Sequence, residues 1–134
     1  MNLLYNQLLE FILIHCIAFF EGLLVKLYGW RVNYTRKMNH FFVFFSPYLI
    51  KLIFPFQETL LTQIIIALVG LATLVIYIKP IRTNINIINV MFAAFDRPED
   101  QPHSLKWLFT QYLATYLVAI PLWLAFDYMN HTEA

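Results

Sequence analysis

Residues 60–78 read LLTQIIIALVGLATLVIYI, a run in which Gln63 is the only strongly polar side chain. A helix that crosses a bilayer needs roughly 20 mostly apolar residues, so this stretch reads as a membrane span and sets the class of the whole chain. Residues 3–28 make a second such run, interrupted only by Glu10, His15, Glu21 and Lys26. Residues 105–126 make a third, with Pro121 near its end, and residues 40–56 a shorter fourth that holds Pro47 and Pro55. The composition agrees: of 134 residues, 60% are hydrophobic, 18% aromatic and 13% charged, where a soluble domain carries about a quarter charged. That excludes an ordinary water-soluble globule and a disordered chain, and the single Cys16 excludes a disulfide scaffold. A formal charge of +1 gives no footing for a nucleic-acid partner. No repeat of solenoid length and no alternating strands of barrel length are present. The expected fold is all-α: a polytopic membrane helix bundle of about four transmembrane helices, one domain over residues 1–134.

The nine basic residues give the expected orientation. Lys26, Arg31, Arg36 and Lys37 lie at or just past the end of the first span, and Lys79, Arg82, Arg97 and Lys106 lie between the third and the fourth. Only Lys51 stands elsewhere, where its long stem can snorkel outward. Lys and Arg mark the cytoplasmic side. The loops at 29–39 and 79–104 are therefore expected in the cytoplasm and both termini outside, with the first span an uncleaved anchor.

Two regions depart from plain spans. Pro47 removes a backbone donor inside the second span, which predicts a kink or, in a sharper reading, a broken helix lining a polar cavity. Between residues 80 and 95, Ile81, Ile85, Ile88, Phe92 and Phe95 recur at steps of four and three. With Thr83, Asn84, Asn86 and Asn89 between them, they read as an amphipathic helix on the membrane face, although the alternation at 84–87 also suits a strand. After it comes the polar run Asp96-Arg97-Pro98-Glu99-Asp100-Gln101-Pro102-His103. As a structural element it is a solvated turn capped by its own acids, with Pro102 at or near the start of the last helix and Asp100 in the approach, where it would complement that helix's positive end.

Ionisable groups at membrane depth face a bundle interior or water. Glu10 and Glu21, eleven residues apart, return to nearly one helix face, flanked by Gln7, and His15 points elsewhere. Glu21 is expected to pair with Arg36 or Lys37. His15 beside Cys16 is no metal site, because adjacent helical residues diverge, and no other metal cluster follows. No nucleotide-loop, dinucleotide, zinc-protease or nucleophile-elbow motif occurs, and three glycines cannot build a phosphate cradle. Catalytic residues are therefore not assigned. What stands out is Thr35-Arg36-Lys37-Met38-Asn39-His40, whose donors are denser than orientation requires. Together with Arg97 it makes a candidate phosphate or lipid head-group site: Arg36, Lys37 and Arg97 as the binding groups, and His40, Glu99, Asp100 and Glu21 in support.

Arg36-Lys37 followed by His40, opening a span after a first transmembrane helix, resembles the R-K-x-x-H element of the polyprenol (dolichol and phytol) kinases, relatives of phosphatidate cytidylyltransferase. Arg97-Pro98-Glu99-Asp100 before the last span is similar to that family's short acidic loop. The resemblance implies the N-terminal half of a CTP-dependent lipid-alcohol kinase, with CTP and Mg2+ as cofactors and a membrane lipid as substrate. The family's later spans carry an acidic, small-residue motif for nucleotide and metal that this sequence lacks. The resemblance therefore implies a second chain or a missing C-terminal half, with this chain inactive alone. The alternatives from the residues themselves are a non-enzymatic small membrane subunit or scaffold, and a transporter-like module using Glu10, Glu21 and the Pro47 break.

Overall fold

The computed structural model describes residues 1–132, and all of its regular structure is helical. Six α-helices follow in order: α1 (Asn2–Tyr28), α2 (Val32–Ile53), α3 (Leu60–Thr73), α4 (Lys79–Asn84), α5 (Asn86–Ala93) and α6 (Ser104–Thr132). One-turn 3-10 segments occupy Leu74–Tyr77 and Pro98–Asp100. Three stretches are long and apolar enough to cross a membrane: Asn2–Tyr28, Leu60–Tyr77 and Ser104–Thr132. The helix α2, with 22 residues, has the length of a span. It opens, however, on Asn33, Arg36, Lys37, Asn39 and His40, which keep its first half polar.

Local chemistry accounts for the ends of α1 and α2 and the start of α3. α1 stops at Gly29, whose φ of 67° is left-handed, a conformation glycine adopts without a Cβ penalty. The Gly29 and Trp30 amides donate back to the carbonyls of Val25 and Leu24, satisfying groups the helix end would leave open. Three residues later α2 begins, so the expected loop at 29–39 is a turn followed by two turns of helix. α2 then runs through Pro47 without interruption, and the broken-helix reading is corrected. It ends before Pro55, which disfavours helical geometry at Phe54. Residues 54–56 of the expected second span are thus outside the helix. α3 opens on a reciprocal cap in which the Thr59 hydroxyl accepts from the Thr62 amide and the Thr62 hydroxyl accepts from the Thr59 amide.

The segment expected as one amphipathic helix over 80–95 is two short helices meeting at Ile85, which is extended (φ −117°, ψ 104°). α5 packs against α1. Val90, Met91, Phe92 and Ala94 are buried, and Met91 and Phe92 form a core with Ala18 and Tyr77 that Phe19, Ile88, Phe95 and Leu105 surround. Of the expected stripe, Ile88, Phe92 and Phe95 join this core, whereas Ile85 faces outward. No strand forms at 84–87. α6 extends to Thr132, past the expected end of the last span at residue 126, while residues 133 and 134 lie outside the described residues.

The bundle is inverted relative to a soluble domain. Large apolar side chains such as Phe20, Phe44, Leu68 and Leu117 are exposed, whereas Asn6, Glu21, Thr35, Asn39 and Ser46 are buried. Such a surface suits lipid, and the buried polar groups bond between helices. Asn6 donates to the Phe54 carbonyl (3.2 Å), Ser46 to Glu10 (2.5 Å) and Asn39 to Glu21 (3.1 Å), so α1 and α2 run antiparallel along a polar seam. His15 is satisfied within its own helix by the Phe11 carbonyl (2.6 Å) and stacks on Tyr77, as a structural histidine does.

Gly22 and Gly70 are the close approaches. A Cβ at Gly22 would fall on the backbone carbonyl of Val90, and one at Gly70 on the hydroxyl of Tyr112. The first obstacle is fixed backbone of α5; the second is the free end of a side chain. Gly22→Ala is therefore expected to cost about 1–3 kcal/mol through overpacking, and Gly70→Ala less. Denaturant titration in detergent, followed by far-ultraviolet circular dichroism, reads the two losses. Equal losses would contradict the α1–α5 approach.

Candidate anion site

The polar run after α5 is shaped by short-range bonds. Pro98 opens a 3-10 turn in which the Asp100 amide donates to the Arg97 carbonyl (3.1 Å), folding Asp100 back over Arg97. Asp96 accepts from Gln101 (2.9 Å) and from Ser104 at the start of α6 (2.5 Å), which ties the run at both ends. It is therefore Asp96, rather than Asp100, that serves the beginning of the last helix. On the other side the Thr35 hydroxyl, fully buried, donates to the Ala94 carbonyl (2.8 Å) and fixes α2 against this segment.

These ties bring Arg36 and Arg97 to one carboxylate. Arg97 holds Asp100 with two bonds, Nε to Oδ2 (2.7 Å) and Nη2 to Oδ1 (3.0 Å). Arg36 Nη1 reaches the same Oδ2 at 2.8 Å, and its Nη2 donates to Gln111 of α6 at 3.1 Å. The Arg97 bonds, joined by the one from Arg36, hold the Asp100 carboxyl below the usual carboxylate range, and Asp100 in turn holds Arg97 more firmly in its charged form. Two guanidinium groups around one carboxylate leave a surplus positive charge. Around them opens a cleft of about 440 Å³ lined by Asn33, Arg36, Lys37, His40, Arg97 and Gln111. Lys37 makes no ion pair among the described residues. A cationic cleft with fixed guanidinium forks is suited to a phosphate or carboxylate.

The structure thus gathers Arg36, Lys37, Arg97 and His40 in one lining, with Asp100 behind them. Glu99 is exposed and stands outside the cleft. Glu21 does not pair with Arg36 or Lys37: it accepts from Asn39, because that amide lies on the α2 face turned to α1, while Arg36 is drawn toward the loop by Asp100. Arg82 is taken elsewhere, 4.0 Å over the Phe92 ring and bonded to the Tyr77 carbonyl. The donors do not fit Mg2+. Both oxygens of Asp100 accept from guanidinium groups, Glu99 is apart, and no group of three or more candidate ligands exists among the described residues.

Asn6, Ser46 and Gln111 escape a reading of motifs, and Thr35 and Asn39, which lie in the donor-rich run, bond to the Ala94 carbonyl and to Glu21 rather than line the cleft. For α2 the signal was present. Thr35, Asn39, Ser46 and Ile50 follow at steps of four, seven and four, one buried stripe in which polar residues take the places of apolar ones. Gln111 carries no such signal. No family model, curated protein or solved structure matches the chain.

Because the folded Asp100 titrates below its unfolded value near 3.9, the stability it lends is complete above that pH and is lost as pH falls through the lower, folded value. At neutral pH, Asp100→Asn is expected to unfold more readily than the parent. The gap should begin to narrow below about pH 3.9, where the unfolded carboxyl protonates, and shrink further as pH falls toward the lower, folded value. Unfolding midpoints at pH 7 and pH 3 measure this; a gap that is equal at both would show that the carboxylate is not what joins the arginines.

Proposed function

We propose that this chain is an integral membrane protein that grips the phosphate of a membrane lipid in the cleft between α2 and the α5–α6 connection. Arg36 and Arg97 bind the anion, Lys37 and His40 add donors, and Asp100 positions both arginines. The observation that carries the reading is the convergence of Arg36 and Arg97, distant in sequence, on Asp100, next to a Lys37 with no ion-pair partner. In this reading α2 is a fourth span, which its pairing with α1 from Asn6 to Glu21 supports. The basic ends then lie in the cytoplasm and both termini outside. The chemistry implied by the resemblance is phosphoryl transfer to an isoprenoid alcohol, in which positioning and charge stabilisation do most of the work. This chain would contribute the phosphate grip, and the nucleotide and its metal would be handled by residues outside it.

The second reading, a non-enzymatic membrane subunit, is favoured by the seam. Asn6, Glu10 and Glu21 bond to α2 and so act as helix-sealing groups. The transporter-like reading loses its broken helix at Pro47.

Polyprenyl phosphate binding to the full chain in nanodiscs separates the first two. Arg36→Ala and Arg97→Ala are each expected to weaken it at least about tenfold, the scale of a lost charged hydrogen bond, with membrane insertion intact. Unchanged binding in both variants would leave the subunit reading standing. In a Cys16→Ser background, Asn33→Cys and Gln101→Cys should be labelled by impermeant reagent from the same side of the membrane. Labelling from opposite sides would remove the shared cleft.

A further inference from the structure

A second cleft, of about 620 Å³, opens at the turn between α1 and α2, lined by Gly29, Trp30, Arg31, Tyr34, Lys37 and Met38. Its character differs from that of the first. The Trp30, Tyr34 and Met38 side chains are exposed with no burying partner, and Arg31 and Lys37 make no ion pair among the described residues. A Cβ at Gly29 would meet nothing within 4 Å, so the left-handed turn leaves the floor of the cleft open. Two unpaired cations beside two aromatic rings stand where the first apolar helix ends. At that depth aromatic rings settle among lipid head groups, and Lys or Arg attracts anionic ones. The chemistry recognised is a monoanionic phosphodiester attached to an apolar body.

We infer that this cleft binds the head group of an anionic phospholipid, with Arg31 and Lys37 on the phosphodiester and Trp30 and Tyr34 against the glycerol and upper acyl chain. The inference rests on the bundle sitting in a bilayer and is independent of the lipid-phosphate reading of the Arg36–Arg97 cleft. Only Lys37 is common to the two linings, so Arg31 and Arg97 separate them.

The test is contact quenching of Trp30 in the full chain carrying Trp107→Phe and Trp123→Phe. The chain is reconstituted with phosphatidylglycerol or phosphatidylcholine brominated near the carboxyl end of the acyl chains. Phosphatidylglycerol is expected to quench more strongly at equal mole fraction. Arg31→Ala should reduce that preference about fivefold, the share of one basic residue at an anionic surface, and Arg31→Ala with Lys37→Ala should abolish it. Arg97→Ala should leave it unchanged, and millimolar inorganic phosphate should not reverse it. Equal quenching by the two lipids, a preference that survives the double substitution, or its loss in Arg97→Ala would each overturn the inference. Reversal by phosphate would overturn it in favour of a free-anion site. Trp123 donates to Glu58, so native mass spectrometry of the unsubstituted chain and of Arg31→Ala provides a parallel count of retained phosphatidylglycerol. A count that Arg31→Ala does not lower is equally decisive against the site.

Discussion

One carboxylate shared by two guanidinium groups holds the polar end of this molecule together. Asp100 joins Arg36 from 64 residues away to Arg97 three residues away, and through Arg36 it also reaches Gln111 of α6. Without it, two arginines would face each other across the cleft with only repulsion between them. With it, their forks are fixed and a surplus of positive charge remains for a ligand. The short 3-10 turn, the Asp96 bonds to Gln101 and Ser104, and the Thr35 bond to Ala94 all serve to deliver this one group to its place.

Below that end, the bundle obeys the constraint of an apolar solvent. Lipid-facing positions are greasy, and the polar side chains turn inward, where an unsatisfied donor would be costly. The α1–α2 seam meets this in part with three bonds, about one and then three turns apart along α1: Asn6 to a carbonyl freed at the end of α2, Glu10 to Ser46, Glu21 to Asn39; the second oxygen of each glutamate is buried without a partner among the described residues. At the opposite end, the Lys51–Glu58 ion pair and the Trp123–Glu58 bond fasten α2 and α6 to the connection before α3. Lys51 therefore has a partner, and snorkelling alone is not what accommodates it.

Different parts of the architecture were legible to different degrees. Three spans could be read directly, because an apolar run of bilayer length has few alternatives. The fourth shows the limit of such counting: Arg36, Lys37 and three amide or imidazole side chains depress the apolar character of α2, and its length and its pairing with α1 are what speak for a crossing. The segment after α3 was legible in its apolar stripe but not in its break at Ile85. Three- and four-step periodicity reports a buried face and says nothing about where a short helix stops. The expected Glu21 ion pair failed for a related reason. Reach along the chain placed Arg36 within range, but a competing carboxylate on a distant loop took it.

The sequence by itself determined the solvent, the helical class and the residue types available for binding an anion, since these follow from composition, apolar run length and the clustering of Arg36, Lys37 and His40. Tertiary structure alone decided which cations share a cleft and which are spent elsewhere. Arg82 and Arg97 are alike in sequence terms, yet one lies over Phe92 and the other faces Arg36. That choice depends on how α5 and the turn at Pro98 pack against α1 and α2, and packing between elements far apart in the chain is not encoded in any local spacing.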